Sequence, residues 1–137
     1  MATVLSRHWI RLYTCGAYML LAMTDGSMRE PAFLVLTVLA AEARHGYAVV
    51  EEVHRISEGR VRLHTGSLYA ILDRLHGAGL IEVQREEVVA SRLRRYYQLS
   101  AAGAGRLAEE TEALRRHANA AAAGLRRFRA NHQTGAA

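Results

Sequence analysis

Leu68, Ile71, Leu72 and Leu75 recur at i, i+3, i+4 and i+7, the strongest helical pattern in the chain. The pattern stops at Gly77 and Gly79, because glycine accepts the left-handed backbone that ends helices. Leu80-Ile81-Glu82-Val83 then alternates as a strand does. A helix that feeds straight into a strand restricts what can surround it. Upstream, Phe33, Leu34, Leu36, Val38 and Leu39 run densely between Glu30 and Ala43, with Pro31 where a first turn tolerates it, so a buried first helix is expected. After His45-Gly46, the residues Tyr47, Val50, Val53 and Ile56 recur every third position and predict a second amphipathic helix ending near Ser57-Glu58-Gly59. Arg60 to Leu63 is a short link, and Thr65 stands where it can cap the third helix. Downstream, Leu93 to Leu99 has β-favouring character, so Arg85 to Arg92 must turn back between two strands. Tyr96, Tyr97 and Leu99 read as core plugs beneath that ribbon. The outline is mainly α with a small β-wing: a winged helix-turn-helix over residues 28–100.

From Ala101 to about Arg129 a single long helix follows. Its inner positions Leu107, Thr111, Leu114, Ala118, Ala121, Leu125 and Phe128 are spaced alternately by four and three, a heptad seam. So small a domain cannot cover a stripe of that length alone, which sends the seam against a partner chain or the first helix. Gly103 and Gly124 read as local weak points, and residues 130–137 as a flexible tail. Asp25-Gly26-Ser27 marks a boundary before Met28. Residues 1–27 form an N-terminal extension for which a packed helix, an early start codon and a targeting segment are all open readings. Its apolar stretch from Trp9 to Met23 contains Arg11 and is shorter than the ~20 residues a bilayer crossing asks for, so no membrane role is expected.

Four ordered motifs carry a family resemblance. They are His45-Gly46-Tyr47, then Leu63 to Leu75 with Gly66-Ser67-Leu68-Tyr69 inside it, then Gly79-Leu80-Ile81, then Tyr96-Tyr97-Gln98-Leu99-Ser100-Ala101-Ala102-Gly103. Together, over roughly residues 28–129, they resemble the PadR-type transcriptional regulators. His64-Thr65 and Ala70 stand where that family tends to carry Ser-Pro and Pro. The resemblance implies a cytoplasmic, homodimeric regulator of the smaller subgroup, whose single tail helix makes the dimer. It further implies a repressor on a pseudo-palindromic operator in duplex DNA, released by a small aromatic or lipophilic effector.

The residues make their own case beside it. With the Leu68 stripe turned inward, the third helix presents Ser67, Tyr69, Ala70, Asp73 and Arg74 to solvent, and the N-terminal part of such a helix is what enters a major groove. Arg62 and Thr65 precede that face. On the return strand, Arg92 and Arg94 share one side and Arg95 takes the other, so two guanidinium groups can meet one phosphate backbone. Glu86 and Glu87 are expected to mark the side that phosphate does not touch. All eighteen basic residues are Arg against thirteen acidic ones, a formal charge of +5 that permits nucleic acid without requiring it. The lone Cys15 and seven histidines include no paired-cysteine or His-Glu-x-x-His motif, so neither metal nor other cofactor is expected. No phosphate loop, nucleophile elbow or carboxylate pair offers a catalytic candidate, which leaves a DNA-binding regulator or, as the alternative, a winged-helix protein-interaction adaptor.

Overall fold

Pro31 sits in the first turn of helix α1 (Glu30–Ala41), where the missing amide costs nothing. The computed structural model describes residues 28–133, and the readings of residues 1–27, including the Trp9–Met23 stretch, lie outside them. After α1 come β1 (Arg44–His45), α2 (Gly46–Ile56), α3 (Thr65–Gly77), β2 (Ile81–Val89), β3 (Arg92–Leu99) and α4 (Ala101–Gln133). The core draws Val35, Leu36, Val38 and Leu39 from α1, Val49 and Val53 from α2, and Leu68, Ile71, Leu72 and Leu75 from α3. Ile81 and Tyr97 close it from the sheet. Each aliphatic side chain removed from water in this way contributes about 1.5–3 kcal/mol before entropy opposes it. The architecture is therefore the expected one: mainly helical, with a small antiparallel sheet and a long C-terminal helix.

Several details differ from the sequence reading. In α2 the fully buried pair is Val49 and Val53, whereas Tyr47 is 69% exposed and Val50 and Ile56 are half-buried. A series of steps of three drifts by about 60° per step around a helix of 3.6 residues per turn, so it cannot keep one face inward. Thr65 is the first helical residue and not the cap. His64 holds the cap position without a side-chain hydrogen bond, and its carbonyl accepts from the Leu68 amide at 2.9 Å. β2 runs on to Val89 and the turn is only Ala90-Ser91, both at positive φ (49° and 61°). Finally, β1 adds a third strand, pairing Arg44 with Tyr97 and His45 with Tyr96, to give the order β1-β3-β2.

α4 begins on a joint built around Ser100. The Ser100 hydroxyl donates to the Gly79 carbonyl at 2.6 Å and accepts from the Gly103 amide at 3.0 Å, while its own amide donates to the Leu80 carbonyl at 3.1 Å. One residue thus ties the end of α3, the foot of the sheet and the first turn of α4. Gly103 is buried there, and a Cβ at that position would stand 1.9 Å from the Leu80 oxygen. Glycine is required by close approach, and Gly103 is not a weak point of the helix. The first part of α4 packs on α1, and Glu110 is buried there beside Arg106 at 3.5 Å. The helix continues through Gln133, so residues 130–133, expected to be flexible tail, are helical. Among the described residues no helix is long and apolar enough to cross a membrane.

Candidate nucleic-acid interface

Because Leu68, Ile71, Leu72 and Leu75 are all buried, geometry forces the other side of α3 outward. Ser67, Tyr69, Ala70, Asp73 and Arg74 are all exposed there, with Arg62 and Thr65 exposed just before them. Tyr69 is half exposed because its ring rests on the start of α2. A Cβ on Gly46 would meet the Tyr69 hydroxyl oxygen and Leu68 Cδ2, each at 3.3 Å. The absence of a side chain at Gly46 leaves room for the hydroxyl end of the tyrosine beside the neighbouring helix. Tyr47 beside it projects into solvent.

The wing divides its arginines. Buried Tyr97 marks the core side of β3, so alternation places Leu93, Arg95 and Leu99 on that side and Arg92, Arg94, Tyr96 and Gln98 on the other. Tyr97 is a core plug and Leu99 packs half-buried against it. Tyr96 is not a plug: it stands on the outer side, edge-on to His45 at 5.4 Å. Cross-strand register pairs Glu86 with Arg95, Glu87 with Arg94 and Val88 with Leu93. Directly paired residues share a face, so the two glutamates occupy opposite sides and cannot together mark one side as turned from phosphate. Arg95 Nε donates to Glu86 Oε1 at 2.7 Å, and that bond holds the guanidinium above its ordinary pKa. Arg95 is thereby engaged, whereas Arg92 and Arg94 form no ion pair among the described residues.

Arg85 was missed as a candidate. The ladder steps from Val83 opposite Tyr97 to Arg85 opposite Tyr96, leaving Gln84 as a bulge. Without it, Arg85 would stand against Arg95 and Glu87 against Leu93. The bulge replaces a like-charge pair with an opposite-charge one and sets Val88 on Leu93. It also moves Arg85 to the side of Arg92 and Arg94. The available signal was the match of Glu86 to Arg95 and Val88 to Leu93 when pairs are counted back from a two-residue turn.

On α4, Leu107 packs against the core of its own domain, so it differs from the rest of the candidate seam. Leu114, Leu125 and Phe128 are exposed by 44%, 53% and 59%, and Ala118 and Ala121 between them are exposed too. Phe128 stacks on the His132 ring at 4.0 Å. Among the described residues, no group of three His, Cys, Asp or Glu side chains is placed to hold a metal ion.

The family of PadR-like transcriptional regulators matches this sequence over residues 35–109, more than half of the chain. The chain belongs to that family. PadR-like proteins are transcriptional regulators and not enzymes. Solved relatives share the fold. A PadR family regulator from Clostridium difficile R20291 superposes at a TM-score of 0.60 with 19% identity, over 71% of this chain and 99% of that one. A PadR family regulator from Eggerthella lenta gives 0.59 with 22% identity, over 85% and 96%. Bacillus subtilis PadR, solved in complex with operator DNA, gives 0.54 with 18% identity over 59% and 47%. No curated relative matches the sequence at a significant level.

Proposed function

We propose that this PadR-like chain is a cytoplasmic, homodimeric repressor. It would lay α3 in the major groove of a pseudo-palindromic operator and set the outer side of the wing on the phosphate backbone. The observation that carries this reading is the pairing of two exposed surfaces: the polar face of α3 and a wing side whose Arg92 and Arg94 are not neutralised by carboxylates. Ser67 and Tyr69 offer hydrogen bonds to base edges, and Arg62 and Arg74 to phosphate. The exposed Leu114, Leu125 and Phe128 stripe supports a dimer through α4, and a two-fold dimer presents two equal helices to half-sites about 10 bp apart. Family membership supports relief by a small aromatic or lipophilic effector.

Footprinting on the region upstream of the protein's own gene, together with affinity measured from 50 to 200 mM salt, tests the reading. Four phosphate-binding arginines per subunit, at about 0.9 per phosphate, give a slope of about −7 for log K against log salt. A symmetric footprint with a slope of that order supports the repressor. Affinity that ignores salt would instead make the fold a protein-interaction adaptor.

A further inference from the structure

The structure assigns Arg85 as a third phosphate contact of the wing and Tyr96 as the residue that positions it, an inference that rests on the DNA-binding reading above. Arg85 Cζ lies 3.8 Å from the centre of the Tyr96 ring. The guanidinium is exposed, and its one side-chain hydrogen bond among the described residues is the weak contact of Nη1 with Gln84 Oε1 at 3.3 Å. A cation stacked on an aromatic face keeps its plane fixed and its N–H edge open, the geometry suited to a phosphate oxygen.

The platform is itself fixed from two directions. His45 of β1 meets the Tyr96 ring edge-on, and the Tyr96 hydroxyl donates to Glu87 Oε1 at 2.5 Å. Glu87 stands opposite Arg94 in the ladder yet makes no ion pair with it. Tyr96 therefore carries Arg85 on its ring, with its hydroxyl anchored to one oxygen of Glu87. The outer side of the wing is left with Arg85, Arg92 and Arg94 available to one backbone. The bulge at Gln84 is what creates this set, because regular alternation from Val83 would place Arg85 on the core side with Arg95.

Phosphate contacts do not depend on sequence, so a mixed-sequence 30-bp duplex serves as the probe for the full-length protein. Fluorescence anisotropy between 50 and 200 mM salt would compare wild type, Arg85→Ala, Arg94→Ala, Tyr96→Leu and the Arg85→Ala/Tyr96→Leu double variant, each checked for folding by thermal melting. Arg85→Ala is expected to reduce the salt slope by about 0.9 per subunit, so that its affinity deficit shrinks about 3- to 4-fold per subunit across that range. Tyr96→Leu should weaken binding in the wild-type background and change nothing further once Arg85 is Ala, a coupling that general loss of structure would not produce. An unchanged slope for Arg85→Ala beside a reduced one for Arg94→Ala overturns the assignment and leaves DNA binding standing. Equal losses from Tyr96→Leu in both backgrounds overturn the positioning role. Wild type without salt-dependent affinity overturns the DNA-binding reading itself.

Discussion

Replacing Gly103 with Ala sets two effects of opposite sign against each other. Helix propensity favours Ala inside a helix by about 1 kcal/mol. Sterics oppose it, because the new Cβ would stand 1.9 Å from the Leu80 oxygen and 2.8 Å from Leu99 Cδ1. Reaching an ordinary carbon–oxygen separation of about 3.3 Å requires a shift of more than an ångström. The Leu80 oxygen is backbone and already accepts from Ser100. A shift of that size breaks roughly two of the hydrogen bonds around Ser100, at about 1 kcal/mol each, and adds overpacking strain of about 1–3 kcal/mol. After the propensity gain is subtracted, Gly103→Ala should destabilise the fold by about 2–4 kcal/mol and lower Tm by roughly 10–20 °C. Gly124→Ala, where the added Cβ meets nothing within 4 Å, should show the propensity term alone and stabilise by up to about 1 kcal/mol. Thermal and urea unfolding followed by circular dichroism, at one protein concentration because the proposed dimerisation would couple to stability, compares the two. A Tm for Gly103→Ala within 2 °C of wild type, or above it, would refute the close-approach argument.

Leu125→Arg should dissociate the proposed dimer, since it would put an unpaired charge in the seam of both chains; light scattering that still reports a dimer would remove α4 from the assembly. Leu107→Ala should act differently, lowering stability by about 2 kcal/mol or more in unfolding assays, because Leu107 packs on its own core. Arg94→Ala should weaken binding to all duplexes alike, Arg95→Ala should change the salt slope little because Glu86 already holds it, and Ser67→Ala should alter discrimination among base pairs; anisotropy on operator and random duplexes separates the three. Ala90→Asn with Ser91→Gly installs the residues that left-handed turn positions prefer and should raise stability by about 1–2 kcal/mol in the same unfolding assays.

Residues whose partners lie on their own element were legible in the sequence. The Leu68–Leu75 stripe, the Pro31 start and the Ala101 start of the tail helix follow from local periodicity and local chemistry, and each is where the pattern put it, whereas the tail helix runs on to Gln133, past the expected end near Arg129. What escaped is non-local. The two residues of β1 have no strand signature and exist because β3 offers them a ladder. The bulge at Gln84 depends on which residues of β3 stand opposite, so neither strand read alone reveals it. Gly103 reads as a poor helix former until Leu80 is seen against it. The candidate site divides along the same line: the exposed face of α3 was readable from its own helix, whereas the separation of Arg95 from Arg94 and the recruitment of Arg85 needed the paired strands.

The joint at Ser100 has a mechanical consequence. At about 1.5 Å per residue, the 33 residues of α4 make a rod about 50 Å long, clamped at one end to the turn that follows α3 and the foot of the sheet. A rod held so close to its pivot is a lever: a tilt of about 5° at the clamp sweeps the far end through about 4 Å. Leverage also runs the other way, since a displacement of several ångströms between two rods would arrive at each clamp as a small rotation of the whole headpiece. The buried glycine and three hydrogen bonds at the pivot are what would let that rotation pass without being absorbed as local bending.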